Sequence, residues 1–218
     1  MKIQVLTDKN SWVIENFVDF VKGRLKKFSK SIQVILNHKF LKKNHDINII
    51  LSYSKIIPKK YLNRSKFNLV VHESNLPKGK GMSPLSWQIL QNKKAIIFTL
   101  FEANSKLDTG NIYYKKKVMV EKNLIFPEIK KIQINESMKL IIYFIRYLKK
   151  NSIPPKSKAP TGKTTYFKKR SQRNSELNIN RTIKNQFNLM RINDNKNYPS
   201  FFYYLGSKYI IKLYKSNK

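Results

Sequence analysis

Five short apolar runs, Ile3–Leu6, Ile32–Leu36, Ile47–Leu51, Phe67–Val71 and Ile96–Phe101, punctuate the first half of the chain. Each has the length of a strand and is too short for a stable helix. Ile47–Leu51 is almost continuously apolar, the pattern of a strand covered on both faces of a parallel sheet. Helical periodicity lies between the runs. Val13, Phe17, Val18, Phe20 and Val21 share one side of a helix that Asn10 or Ser11 can cap, and Ser86–Gln91 starts a short helix before the fifth run. Alternating strands and helices predict an α/β domain with a mostly parallel sheet. The Asn37–Asp46 connection is tight for a helical crossover, so the sheet is expected to be trimmed there, while Ile112–Val120 adds one or two strands.

The last third reads differently. Asn135 is placed to cap a helix running to about Lys150, with Met138, Ile141, Ile142, Phe144, Ile145 and Leu148 apolar. Asn151–Gly162 carries Pro154, Pro155 and Pro160 among lysines and serines and predicts an extended connector. A second short helix follows over Thr182–Arg191, with Ile183, Phe187, Leu189 and Met190 inside. Phe201–Leu205 and Tyr209–Tyr214 then form a hairpin closed near Gly206-Ser207. This divides the chain into a domain over 1–150, a linker over 151–162 and a small helix-and-hairpin subdomain over 163–218, whose hairpin can pair across a homodimer.

Several classes are excluded. No apolar stretch reaches the roughly 18 residues that span a bilayer, and Met1–Leu6 lacks the h-region of a secretory signal. With zero cysteines there is no disulfide and no thiolate metal site, which suits a cytoplasmic protein. A net charge of +33 has two readings. One is attraction to a polyanion. The other is drift toward AT-rich codons, which fits lysines scattered over both halves.

Chemistry narrows to few residues. Of the three histidines, His38 and His45 lie in a Lys/Asn-rich connector and read as exposed polar residues, whereas His72 ends an apolar strand. Ligands of open α/β sheets bind at the carboxyl ends of strands, where a group titrating near neutrality can polarise a substrate or shuttle protons. A strand-end histidine satisfied by backbone is the alternative. Asp108 sits in Leu107-Asp108-Thr109-Gly110, readable as a plain turn or as a carboxylate set against His72. The Gly79/Gly81 loop matches neither a P-loop nor a dinucleotide fingerprint.

Together, "VVHESNLPKGKGMSPLSWQIL" (Val70–Leu90) and "FTLFEANSKLDTGNIYY" (Phe98–Tyr114) resemble the formyltransferases that use 10-formyltetrahydrofolate. The matching residues are His72, Ser74, Leu76-Pro77, Lys80-Gly81, Pro84, Thr99 and Leu107–Gly110. Leu51–Pro58 is similar to the family's pterin-wrapping segment, and Phe187–Lys215 to its short C-terminal segment. One departure stands out: the family's asparagine two residues before the histidine is Val70 here.

The resemblance implies a Rossmann-like formyltransferase domain, with His72 donating to the formyl oxygen and Asp108 accepting the amine's proton. It also implies Asn75, or else Asn68, in the role of the missing asparagine. Tyr53, Ser54, Ile56, Ile57, Ser105 and Leu107 would hold the pterin of 10-formyltetrahydrofolate, and Lys78, Lys80 and Gly81 would meet an anionic acceptor. No metal is required. The 68 residues after Lys150 are expected to be too few for the tRNA-gripping barrel of the methionyl-tRNA branch, which points to an amino group of a nucleotide-linked sugar, used for surface polysaccharides. Methionyl-tRNA as acceptor, or a basic nucleic-acid-binding protein without catalysis, are the alternatives.

Overall fold

The computed structural model describes residues 1–216. The first run becomes β1 (Ile3–Leu6). Ser11 Oγ accepts from the Ile14 N–H at 3.3 Å and starts α1 (Trp12–Asn16). The helical stretch breaks at Phe17 before α2 (Val18–Leu25), where a single helix was expected. There follow β2 (Ile32–Ile35), β3 (His45–Ile50), α3 (Lys59–Leu62), β4 (Ser65–His72), β5 (Lys80–Gly81) and α4 (Pro84–Leu90). The two long strands β6 (Ala95–Glu102) and β7 (Ile112–Met119) come next, and β7 is one strand. The C-terminal third is α5 (Phe126–Asn151), β8 (Tyr166–Phe167), α6 (Ile183–Arg191), β9 (Ser200–Tyr204) and β10 (Ser207–Ile211).

The sheet runs β2-β1-β3-β4-β6-β7. Its first four strands are parallel, while β6 is antiparallel to both β4 and β7. The sheet is not trimmed at Asn37–Asp46. That connection passes only the single strand β1, which one 3₁₀ turn at His38–Phe40 accomplishes, and β2 keeps its full register with β1.

Period-two alternation separates the two faces. Ile3, Val5, Ile47, Ile49, Leu69, Val71, Phe98 and Leu100 pack in the main core under α5. The opposite face holds a smaller cluster of Leu6, Leu41, Ile50, Ile57 and Leu62, with Val70 against it. It also carries a row of buried amides in register, Gln4, Asn48 and Asn68. Asn48 Nδ2 donates to Asn68 Oδ1 at 3.1 Å, and Asn68 Nδ2 to the Leu62 carbonyl at 3.1 Å.

Helix α5 begins nine residues before the expected Asn135. Pro127 lies in its first turn, and Glu128 Oε2 accepts the Ile125 N–H at 2.9 Å, so Phe126-Pro127-Glu128 is the true start signal. In α6, Thr182 is the cap rather than the first helical residue, its Oγ1 accepting the Asn185 N–H at 3.3 Å, and Ile183 is exposed rather than inside. The connector over 151–162 lies against the sheet, where the Lys158 and Ile112 backbones exchange hydrogen bonds at 2.7 and 3.0 Å.

Candidate functional site

At the carboxyl ends of β1, β3 and β4 opens a cleft of about 880 Å³. Strand β4 delivers His72 into it, with Val70 on the same strand face. His72 is only 7% exposed. Its Nε2 lies 2.8 Å from the Gly79 carbonyl, which can only accept, so Nε2 carries the hydrogen. The loop that holds His72 is itself pinned at both ends. Thr99 Oγ1 donates to the Ser74 carbonyl at 2.6 Å, and Gly79 N–H donates to Thr165 Oγ1 at 2.8 Å.

Asp108 comes from the loop between β6 and β7. Its Oδ2 accepts the Gly81 N–H at 2.8 Å and stands 3.8 Å from His72 Nε2. The structure brings together the two residues that the sequence reading pairs, but the ring is held by the Gly79 carbonyl rather than by Asp108. Gly110 explains the turn that places Asp108: a Cβ there would lie 1.5 Å from the Glu102 carbonyl oxygen. Gly81 has a φ of 98°, and a Cβ there would meet the Phe167 carbonyl at 2.3 Å, because β8 pairs with β5. Trp87 Nε1 donates to the Lys168 carbonyl at 2.7 Å, so the segment around 165–168 packs on the loop and helix beside the site, and Lys169 and Arg170 just after it line the cleft.

Tyr53, Ser54, Ile56 and Ile57 line the cleft, as do Leu107 and Gly81, whereas Ser105 does not. Ser54 N–H donates to Asp8 Oδ2 at 2.9 Å. Tyr53 is latched by His38: the His38 N–H donates to the phenol oxygen at 3.2 Å, and Nδ1 lies 2.7 Å from it. His38 is thus half-buried rather than the exposed polar residue expected. Burial lowers its pKa, aided by Lys55 and Lys39.

Several other expected site residues lie outside the cleft. Asn75 is exposed, outside the cleft, with Oδ1 held by Lys115 Nζ at 2.7 Å; Asn68 is enclosed in the amide row. Neither fills the place left by Val70. Lys78 is exposed away from the cleft, and the buried Lys80 lies 6.0 Å from the Tyr166 ring centre rather than facing the opening. The cations that do line the cleft are Lys55, Lys106, Lys130, Lys169 and Arg170. They come from loops and α5, where spacing alone carries no signal for them. Asn104 also lines it, with Oδ1 accepting from the Lys106 N–H and the Thr109 hydroxyl at 2.9 and 2.8 Å.

Behind the site, Glu102 accepts the Asn68 N–H at 2.6 Å and the Tyr113 hydroxyl at 3.0 Å. Burial pushes its pKa up to about 7 despite these bonds. Among the described residues no group of three His, Cys, Asp or Glu side chains is placed to hold a metal ion, and no helix is long and apolar enough to cross a membrane.

The chain is 29% identical over 157 residues to a methionyl-tRNA formyltransferase of Thermodesulfovibrio yellowstonii, covering 70% of this chain and 50% of that protein. It spans about half the length of the curated relatives it matches. Its fold matches a solved methionyl-tRNA formyltransferase from Clostridium thermocellum, with TM-score 0.73, 20% identity and coverage of 100% and 96% of the two chains. It also matches a sugar N-formyltransferase from a Shewanella species, with TM-score 0.64, 16% identity and coverage of 98% and 97%. The model of the family described as formyl transferase matches residues 16–140, more than half of the chain, and the protein belongs to that family.

Proposed function

We propose that the cleft transfers a formyl group from 10-formyltetrahydrofolate to an amino group, most simply that of a nucleotide-linked amino sugar. The observation that carries this reading is the pairing of His72 and Asp108, 3.8 Å apart at the mouth of one cleft. The resemblance to a sugar N-formyltransferase supports the acceptor class. Methionyl-tRNA is the second reading, supported by the relatives of that activity.

The chemistry follows from the donors available. The acceptor nitrogen, unprotonated, forms a bond to the formyl carbon, and the carbonyl π pair moves onto oxygen. A preorganised donor must meet that oxyanion. His72 has one N–H committed to Gly79, so it serves either by turning that hydrogen to the oxyanion or by carrying a second one on Nδ1. Asn104, whose Nδ2 makes no hydrogen bond among the described residues, is a further amide donor of the cleft wall. Asp108 keeps Oδ2 on Gly81 and takes the amine's proton on Oδ1. The carbonyl then re-forms, the bond from carbon to the folate nitrogen breaks, and that nitrogen leaves with the proton that Asp108 took from the amine, which returns Asp108 to its carboxylate. Tyr53, Ile56, Ile57 and Leu107 form the wall offered to the pterin, and residues 1–150 carry the reacting groups.

Incubation with 10-formyltetrahydrofolate and a panel of nucleotide-linked amino sugars, read by mass, tests the acceptor class. Gain of one formyl group by a panel member is expected. Formylation of methionyl-tRNA with none of the sugars would transfer the assignment to the second reading.

A further inference from the structure

Lys130 is a half-buried ammonium on the wall of the cleft that forms no ion pair within 4 Å among the described residues. Its Nζ donates to Gln133 Oε1 at 2.9 Å and stands 4.5 and 5.4 Å from the ring centres of Trp12 and Phe126. An ammonium has three hydrogens to place, and the amide takes one. The carboxylates nearby form no ion pair with it and accept instead from neutral donors. Glu73 Oε1 accepts from Gln133 Nε2 at 2.7 Å. Asp194 accepts from the Lys196 N–H and Asn197 Nδ2 at 2.9 and 3.0 Å, and Glu15 from Asn197 Nδ2 at 3.3 Å. Arg191, on the side of α6, spends its guanidinium on Asn188 and the Glu121 and Leu124 carbonyls. Lys130 also borders a second cavity, of about 340 Å³, so it stands where two openings meet.

We propose that Lys130 is an anion-recognition residue of the cleft, receiving the phosphate or carboxylate oxygens of a bound substrate where the two cavities join. The inference rests on the reading of the cleft as a formyl-transfer site, and it adds a specificity determinant on the wall built by α5. Two sources share this chemistry: a phosphate on the acceptor and a carboxylate on the glutamyl tail of the folate. Burial lowers Lys130 to about 8, while Glu73 and Asp194 pull the other way. An oxyanion at Nζ favours the charged form. Binding above pH about 8 therefore draws a proton onto the protein.

Trp12, against Nζ, supplies the readout. The chain has two tryptophans, and Trp87→Phe leaves Trp12 as the reporter. The full chain is titrated with inorganic pyrophosphate and, separately, with p-aminobenzoyl-glutamate. A saturable change in Trp12 fluorescence is expected with one of them. It should weaken about 10- to 100-fold in Lys130→Met, the loss of one charge-assisted hydrogen bond, and largely survive in Lys130→Arg. The pyrophosphate arm assigns the acceptor's phosphate, and the other arm the folate tail. Equal binding by folded Lys130→Met, or saturation by neither probe, overturns the proposal. Lys130-dependent binding in a protein that transfers no formyl group keeps the anion site and removes only the reaction.

Discussion

His72 hangs from Gly79, with Nε2 2.8 Å from the carbonyl, while Asp108 stands 3.8 Å away and holds the Gly81 N–H. The glycine-rich loop therefore positions both side chains, one by its carbonyl and one by its amide. Asp108→Asn keeps an oxygen for Gly81 but cannot take a proton. Its turnover of 10-formyltetrahydrofolate is expected to fall by about 10²–10⁴, with the melting temperature nearly unchanged. A comparable loss of melting temperature would make Asp108 a structural residue instead.

Gly110→Ala is expected to damage fold and site together. The new Cβ would sit 1.5 Å from the Glu102 carbonyl oxygen, so the Leu-Asp-Thr-Gly turn must move and carry Asp108 with it. A destabilisation of about 2 kcal/mol or more is expected from denaturant melts. Gly23→Ala, where nothing lies within 4 Å, is the matched control.

Glu102 gives the fold a pH signature. Its pKa is raised in the folded state to about 7 from an ordinary 4.5, so the folded protein binds the proton more tightly than the unfolded chain. This group's contribution is most favourable below pH 4.5 and is lost as pH rises through about 7, an effect on the order of 3 kcal/mol. Glu102→Gln keeps an acceptor for the Asn68 N–H and has no charge to bury. Melting temperature measured from pH 5 to 8 should fall less steeply in the variant than in the parent.

The His38–Tyr53 latch predicts a change in folate affinity rather than in chemistry. Tyr53→Phe removes the oxygen that accepts the His38 N–H and lies 2.7 Å from Nδ1. KM for 10-formyltetrahydrofolate is expected to rise several-fold with kcat little altered. A fall in kcat at constant KM would place Tyr53 in the chemistry instead of the wall.

What the sequence made legible tracks the range over which each signal acts. Short apolar runs and the Leu-Asp-Thr-Gly turn are local, and β1, β3, β4, β6, His72 and Asp108 emerge from them. The start of α5 was misplaced by nine residues because Asn135 looks like a cap, although Pro127 and Glu128 supply the working signal. Asn75 looked available because its partner Lys115 lies 40 residues away on β7. Lys130 and Arg170 were missed for the same reason: folding over long separations brings them to the cleft. Lys80 failed in the opposite sense, since pairing of β5 with β8 draws it inward, away from the cleft.

The most direct test is acceptor-dependent release of tetrahydrofolate from 10-formyltetrahydrofolate, measured side by side for the parent protein and His72→Ala. The account predicts release by the parent only when the amine acceptor is present, and a loss of about 10²-fold or more in His72→Ala. Equal release by the two proteins would contradict it.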